Sequence, residues 1–381
     1  MKQRTKHLVY AVATLVGYVV GAGIFGLPFV MQRMGFLPAL ALMFVLTVST
    51  GLNCLALAEI LLRTKKFHCL SGLAKTYFTT WGRYIIFPIL IGDFGSILAF
   101  GILGGAFLED ALGKYLALSG SLFFILFLLA GAFFIWRGYN HLGFSEIVMA
   151  AVLVAVIFLI GGASIDQVKL NNYAGMDLAK TLPAFGVLLF ALDGTGGMFA
   201  IRKILARRER LIRLSVFKSY ALVSVLYVIF TASIVGVFGP AVFEEAVVGV
   251  GNVLGASIEK AAVLFCVVAV FSTYIVVGSN LRHALYDDLK ISKTYAWFFV
   301  WLIPLLVYML GATSFIDIIS LIGMFLAGIN TAIIVLILRK ARKTKSRVPE
   351  YRLRVPIVVN YVVAAAYIIA AVYGIGEYFI S

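Results

Sequence analysis

Long apolar runs, separated by short basic loops, make up most of the chain. A bilayer core of about 30 Å needs about 20 apolar residues in a helix that rises about 1.5 Å per residue. Because the runs are continuous and lack the alternation of barrel strands, they predict an all-α integral membrane protein. About eleven transmembrane helices are predicted, at residues 8–31, 38–62, 84–108, 119–136, 144–163, 182–201, 214–238, 260–281, 296–311, 315–338 and 356–379.

The spacing of these helices indicates an internal repeat. The first and sixth helices, the third and eighth, and the fifth and tenth each begin about 170–176 residues apart. Five spans separate the members of each pair, and because five is odd the second unit is inverted relative to the first. The pattern predicts a single transmembrane transporter domain (1–381) with five-helix repeats at 8–163 and 182–338, followed by an extra helix at 356–379.

Glycines interrupt the first helix of each repeat. Residues 17–28 contain four glycines and a proline, and residues 190–197 contain three glycines and Asp193. Asp193 lies about 16 Å into its span by helix rise. Open backbone at that depth is tolerated only where it lines a cavity, so the paired breaks predict a binding site near the membrane midplane. Close helix packing through small residues is the alternative interpretation.

Composition supports the membrane interpretation. Of 381 residues, 62% are hydrophobic and 13% are charged, and the mean hydropathy is +1.05. About a quarter of the residues of a soluble domain are usually charged, so lipid must be the solvent for most of this surface. The net charge of +15 is divided among separate loops and forms no continuous basic face, so no nucleic-acid partner is expected.

The basic residues predict the orientation. Of the 32 Lys and Arg residues, 27 fall in segments on the same side as the N-terminus. The positive-inside rule therefore predicts a multi-pass protein of the plasma or inner membrane, with a cytoplasmic N-terminus and the C-terminus outside. The basic runs at 202–213 and 339–354 require no partner beyond this topology and anionic membrane lipid.

The two breaks fit an amino acid as ligand. Free backbone N–H groups of residues 21–23, at the start of a half-helix near Ile24, can hold a carboxylate. The carbonyls of the second break, or Asp193 itself, can hold an ammonium group, and Tyr18 and Phe190 can cover the side chain. The predicted substrate-binding residues are Tyr18, Gly21, Ala22, Gly23, Ile24, Phe190, Asp193 and Gly194.

Acidic residues inside membrane spans are functional candidates by default because they are costly to bury. Asp93 lies about 14 Å into its span, so Asp93 and Asp193 are candidate proton carriers. Asp93 can equally be a structural residue that forms a hydrogen bond to a neighbouring helix rather than a proton carrier. Glu59 and Glu146 lie near inner helix ends, where Arg63 or Arg137 can pair with them, and structural pairing or gating is favoured over transport chemistry for both.

A family resemblance appears in the same segments. Residues 21–28 resemble the G-x-G-I-F-x-x-P element of the amino acid/polyamine/organocation (APC) transporter superfamily. Residues 188–194 and 271–289 resemble helices six and eight of its amino acid/auxin permease and aromatic amino acid permease branches. The resemblance covers about residues 8–340. It implies the leucine-transporter-type (LeuT-type) fold, a 5+5 inverted repeat with broken helices one and six, alternating access, and coupling to Na⁺ or H⁺.

The same resemblance implies where Na⁺ would bind. The family's common site would combine the carbonyls of Gly17 and Val20 with the hydroxyls of Ser272 and Thr273, although these hydroxyls can also bond back to the preceding helical turn. The candidate ion-coupling residues are Gly17, Val20, Asp93, Asp193, Ser272 and Thr273. No cofactor is expected beyond the coupling ion.

These features together predict a secondary active transporter of amino acids. A transporter of polyamines or other organocations with the same fold is one alternative, and an integral-membrane enzyme is another. The enzyme alternative lacks support, because the chain contains no G-x-S-x-G or H-E-x-x-H motif. Lipid-modifying prenyl transferases need aspartate-rich metal-binding motifs, and here Asp287 and Asp288 form one such pair without a second.

Overall fold

The computed structural model describes residues 2–64, 70–78, 82, 84–116, 118–138, 142–244, 256–344 and 347–380, and these residues contain helices but no strand. The α-helices are α1 Lys2–Val19, α2 Leu27–Met34, α3 Phe36–Arg63, α4 Leu70–Tyr77, α5 Ile86–Leu112, α6 Gly120–Arg137, α7 Leu142–Ser164, α8 Thr181–Leu192, α9 Gly197–Ile204, α10 Ile212–Phe238, α11 Ala256–His283, α12 Lys293–Met309, α13 Phe315–Thr344 and α14 Ile357–Ile380. A 3-10 turn, Ala22–Gly26, connects α1 to α2.

Each predicted span coincides with one helix or with an interrupted pair of helices. Among the described residues, seven segments are long and apolar enough to cross a membrane, and the pair Thr5–Val19 and Ala22–Met34, bent by 48°, is an eighth. The remaining three predicted spans coincide with α7, α11 and α12. The prediction of an all-α membrane protein is therefore confirmed.

Two helices extend beyond their predicted apolar spans. α1 begins at Lys2, before the predicted start at residue 8, and α13 continues to Thr344, past the predicted end at residue 338. Both extensions are rich in Lys and Arg, which are good helix formers. At the C-terminus of α13, Arg342 and Lys343 also interact favourably with the negative end of the helix dipole.

The interrupted helices lie at the centre of the bundle. α1 packs against α7, α9 and α10, whereas α8 packs against α2, α3 and α13. α8 and α13 approach closely through Gly186 and Gly323, because a Cβ atom on either glycine would collide with the backbone of the opposite helix. α5 lies between α11 and α13, so it forms the wall that faces the centre from the other side.

A buried carboxylate joins three segments at one end of the bundle. Glu59 of α3 is fully buried and accepts hydrogen bonds from Arg63 Nε at 2.9 Å and from Arg342 Nε and Nη2 at 2.9 and 2.7 Å. The backbone N–H of Leu353 donates to the same carboxylate at 2.9 Å. We call these four residues the Glu59 cluster; it links α3, the end of α13 and the segment before α14.

The predicted pairing of Glu59 with Arg63 is confirmed, but the sequence analysis missed Arg342. That arginine lies 283 residues away along the chain, so no local pattern connects it with Glu59. The side chain of Glu146 lies outside the described residues.

Glu59→Gln should strongly destabilise the protein, because Arg342 and the N–H of Leu353 would lose their charged acceptor. Removing one partner of a buried ion pair typically costs about 3–5 kcal/mol. The measurement is the thermal unfolding temperature of the purified protein in detergent. Glu350→Gln is the matched control, because Glu350 is solvent-facing and pairs with Arg347, where the loss should be at most about 1 kcal/mol. Equal unfolding temperatures for the two variants would contradict this assignment.

Candidate functional site

The first break is a short non-helical step between α1 and the 3-10 turn. α1 ends at Val19, and the N–H of Gly21 donates to the carbonyl of Val19 at 2.9 Å. Among the described residues, the N–H groups of Ala22 and Gly23 have no backbone partner. The prediction of three free N–H groups was therefore wrong for Gly21, whose tight turn uses its donor internally. Two donors remain at the start of Ala22–Gly26 and α2.

The second break opens where Asp193 leaves the helical conformation. α8 ends at Leu192, Asp193 has φ −70° and ψ 112°, and α9 begins at Gly197. The carboxylate of Asp193 accepts hydrogen bonds from the backbone N and from Oγ1 of Thr195, at 3.0 and 3.1 Å. This arrangement is typical of aspartate in a turn, where the side chain replaces a backbone acceptor. Asp193 thus shapes the break and keeps a carboxylate in it.

Two tyrosines of α10 hold the carbonyls that the breaks expose. The hydroxyl of Tyr227 lies 2.8 Å from the carbonyl oxygen of Val19 and 2.6 Å from that of Ala191. Because a hydroxyl has one proton to donate, the two carbonyls share it. Tyr220, about two turns earlier on the same face of α10, donates to the carbonyl of Leu192 at 3.0 Å. The end of α1 and the end of α8 are therefore joined through one fully buried side chain of a third helix.

The sequence analysis did not identify these tyrosines. Two tyrosines seven residues apart on one face of an apolar helix are a signal that could have found them, since Tyr usually has a hydrogen-bond partner when buried.

The two breaks also touch each other directly. A Cβ atom on Gly23 would lie 2.7 Å from the Cα of Ala191, so only glycine permits this approach. Gly196 of the second break leaves no room for a Cβ beside the ring of Tyr18. Gly194 is similarly close to Tyr220, whose hydroxyl oxygen would lie 2.8 Å from an added Cβ. The close-packing interpretation of these glycines is therefore confirmed. It is compatible with the binding-site interpretation, which stays a prediction.

The two predicted midplane acids lie near each other. Asp93 of α5 and Asp193 are close enough for their charges to interact. Cys54 of α3 adds a polar atom at 3.3 Å from the hydroxyl of Tyr220. No lysine or arginine forms an ion pair with either aspartate among the described residues. The centre of the bundle therefore holds two carboxylates without a basic partner.

Two phenyl rings meet beside the second break. Phe190 precedes Asp193 by three residues, and its ring centroid lies 6.1 Å from that of Phe100 of α5. Phe100 was not predicted from the sequence.

The hydroxyl of Thr273 lies beside the first break. A Cβ atom on Gly21 would be 3.9 Å from Thr273 Oγ1, which donates to the carbonyl of Ala269 at 3.1 Å. The predicted alternative, a bond back to the preceding turn, is thus present for Thr273. Its oxygen still carries lone pairs that can coordinate a cation. Ser272 precedes Thr273 on α11 and is half-buried.

The remaining predicted residues lie in or next to the breaks. Gly17 and Val20 lie in the last turn and just after the end of α1, Ile24 is fully buried in the 3-10 turn, and Tyr18 is half-buried against Gly196. The described residues contain no group of three or more His, Cys, Asp or Glu side chains that could hold a metal ion.

Tyr227→Phe should loosen both breaks, because it leaves the carbonyls of Val19 and Ala191 without their donor. A buried polar group left unsatisfied costs about 1–3 kcal/mol. Hydrogen–deuterium exchange of the two break segments should become at least several-fold faster.

The matched control is Tyr274→Phe, which removes a buried hydroxyl that donates to the carbonyl of Leu128, away from the breaks. Faster exchange at the breaks in both variants, or in neither, would contradict the assigned role of Tyr227.

Solved structures with a similar fold are transporters. A structure described as MhsT in complex with L-phenylalanine aligns with a TM-score of 0.65 and 11% identity, over 95% of this chain and 98% of that chain. Two structures of a manganese transporter from Eremococcus coleocola align with TM-scores of 0.64 and 0.63 and identities of 13% and 15%, over 98% of this chain and 87% and 88% of those chains. At these identities the similarity supports a shared fold, the leucine-transporter-type fold, and does not extend to substrate or mechanism.

A search of curated protein sequences finds no match. The family described as the tryptophan/tyrosine permease family matches residues 4–373. Because this match spans nearly the whole chain and the family is one of permeases, the prediction of a transporter rather than an enzyme is confirmed. The chain belongs to the tryptophan/tyrosine permease family.

Proposed function

We propose that the protein is a secondary active transporter that moves an aromatic amino acid through the membrane by alternating access, driven by a gradient of Na⁺ or H⁺. The observation that carries this proposal is the meeting of the two breaks. Unpartnered N–H groups of Ala22 and Gly23 lie in one break, and the carboxylate of Asp193 lies in the other. A zwitterion needs both kinds of group.

The ends of the proposed ligand have distinct partners. The N–H groups of Ala22 and Gly23 begin a half-helix, and a helix N-terminus favours the substrate carboxylate. Asp193, with the exposed carbonyls of its break, is an acceptor for the ammonium group. Phe100 and Phe190 supply an apolar surface against which an aromatic side chain can pack. The family name and the L-phenylalanine bound to the similar structure agree with this choice of substrate.

Two sites can couple transport to an ion. Thr273, with Ser272 and the carbonyls of Gly17 and Val20, provides the oxygen ligands that Na⁺ requires. Asp93 and Asp193 are the candidate site for a proton, because both are acids within membrane-spanning segments and neither forms an ion pair among the described residues.

Uptake by purified protein in liposomes tests the proposal. Tryptophan, tyrosine, phenylalanine, leucine and putrescine are offered under an imposed Na⁺ gradient, under an imposed pH gradient and under neither. An aromatic amino acid should accumulate above equilibrium under one gradient. Accumulation of putrescine alone would favour the polyamine alternative, for which the two unpaired carboxylates are the specific observation, and absence of gradient-driven flux of any compound would refute transport by this mechanism.

Asp193→Asn should weaken substrate uptake about tenfold or more, because a hydrogen bond between charged groups contributes about 1.5–3 kcal/mol. The measured quantity is the KM of uptake at saturating coupling ion. Asp317→Asn serves as control, since Asp317 is exposed near the outer end of α13. Unchanged uptake in Asp193→Asn would make Asp193 a structural residue of the break.

Thr273→Val distinguishes the coupling ions, because valine keeps the shape of threonine and removes its oxygen. If Na⁺ drives uptake, the Na⁺ concentration for half-maximal rate should rise at least about fivefold, which corresponds to the loss of one ligand worth about 1 kcal/mol. Thr47→Val is the matched control, since Thr47 makes the same bond back to the preceding turn within α3. An identical Na⁺ dependence in the two variants would count against the proposed Na⁺ site.

A further inference from the structure

A pocket opens on the arginine-rich face of the protein, where the inner ends of α10, α13 and α14 meet. Its volume is about 610 Å³. Arg213 at the start of α10 and Arg342 at the end of α13 contribute to its wall, and residues 350–356 form the rest. The pocket therefore lies on the side that carries most of the Lys and Arg residues, at the level where helices enter the membrane.

The pocket carries excess positive charge. Arg342 is neutralised by Glu59, and the only acid in the wall, Glu350, pairs with Arg347. Arg213, Arg352 and Arg354 are exposed, and none has an acidic partner among the described residues. Three guanidinium groups thus face one cavity with no protein anion to balance them.

The groups in the wall suit a phosphate. Arginine donates hydrogen bonds in a planar fork that matches two oxygens of a phosphate. Burial raises the pKa of Tyr351 to about 12, so its hydroxyl remains protonated and can also donate. The base of the pocket is held in place, because the N–H of Leu353 donates to Glu59 and Arg342 Nη2 donates to the Leu353 carbonyl at 3.2 Å.

Apolar side chains continue from the pocket toward the bilayer. On α10, Leu214 is 41% exposed and Phe217 is 72% exposed; on α14, Val358 and Val362 are 64% and 63% exposed. α3 contacts both helices. A free phosphate would make no use of these side chains, whereas the acyl chains of a lipid would cover them.

We propose that this pocket binds the phosphate of an anionic phospholipid, whose acyl chains lie along α10 and α14. The ligand is recognised by Arg213, Arg352 and Arg354, and the Glu59 cluster keeps the wall in position. This site is separate from the two breaks, and its occupancy is measured without transport.

The test is native mass spectrometry of the purified protein in a neutral detergent, titrated with phosphatidylglycerol, phosphatidylcholine or inorganic phosphate. The protein should retain phosphatidylglycerol at least tenfold more tightly than phosphatidylcholine, and inorganic phosphate at millimolar concentration should not displace it. In Arg213→Gln/Arg352→Gln/Arg354→Gln this preference should be abolished, because each arginine near the surface contributes about fivefold and the three together exceed a tenfold preference.

The control variant Arg207→Gln/Arg210→Gln/Lys343→Gln removes the same charge from exposed positions on the same face outside the pocket wall, and it should bind phosphatidylglycerol like the wild type. Equal loss in both variants would show unspecific attraction and overturn the site. Equal retention of both lipids by the wild type, or displacement by inorganic phosphate, would overturn the lipid as its ligand. Matching unfolding temperatures establish that both variants are folded.

Discussion

The structure depends on how backbone groups are satisfied where two helices are interrupted inside the membrane. Lipid offers no hydrogen bonds, so each unpaired N–H or C=O at that depth needs an internal partner or a ligand. Tyr227 meets this requirement for both breaks at once, because its hydroxyl lies between the carbonyls of Val19 and Ala191. The donors of Ala22 and Gly23 keep no such partner among the described residues. The carbonyls of the two breaks are therefore satisfied internally, while the N–H groups of Ala22 and Gly23 are the ones that, under the proposed function, a substrate carboxylate would engage.

Buried acids follow two opposite arrangements in this bundle. Glu59 is surrounded by Arg63, Arg342 and a backbone N–H, so its charge is balanced where it joins the ends of helices. Asp93 and Asp193 have no basic partner among the described residues. A buried charge without a partner is expensive, and under the proposed function a proton, an ion or a substrate supplies the missing charge.

The sequence predicts the helices and the breaks, and it fails where contact depends on helix rotation. Continuous apolar runs mark the spans because the thickness of the bilayer sets their length, and glycines at residues 17–28 and 190–197 mark the interruptions. Asp93 and Asp193 are found because charge at that depth is rare. Tyr227, Phe100 and Arg342 are missed, since each meets its partner across a distance along the chain that hydropathy does not encode. The N–H of Gly21 was predicted to be free but donates to Val19, because the backbone dihedral angles of the turn decide its partner and the sequence does not specify them.

The contact between Gly23 and Ala191 leaves no space for a larger residue at position 23. Under the proposed function this contact lies in the part of the site for the charged ends of the amino acid, so that part is closed to variation at Gly23. Phe100 belongs to a different helix and meets Phe190 through its ring. Under the proposed function, selectivity for the side chain can therefore diverge during evolution by changes in α5, while recognition of the amino acid backbone is inherited with the two breaks.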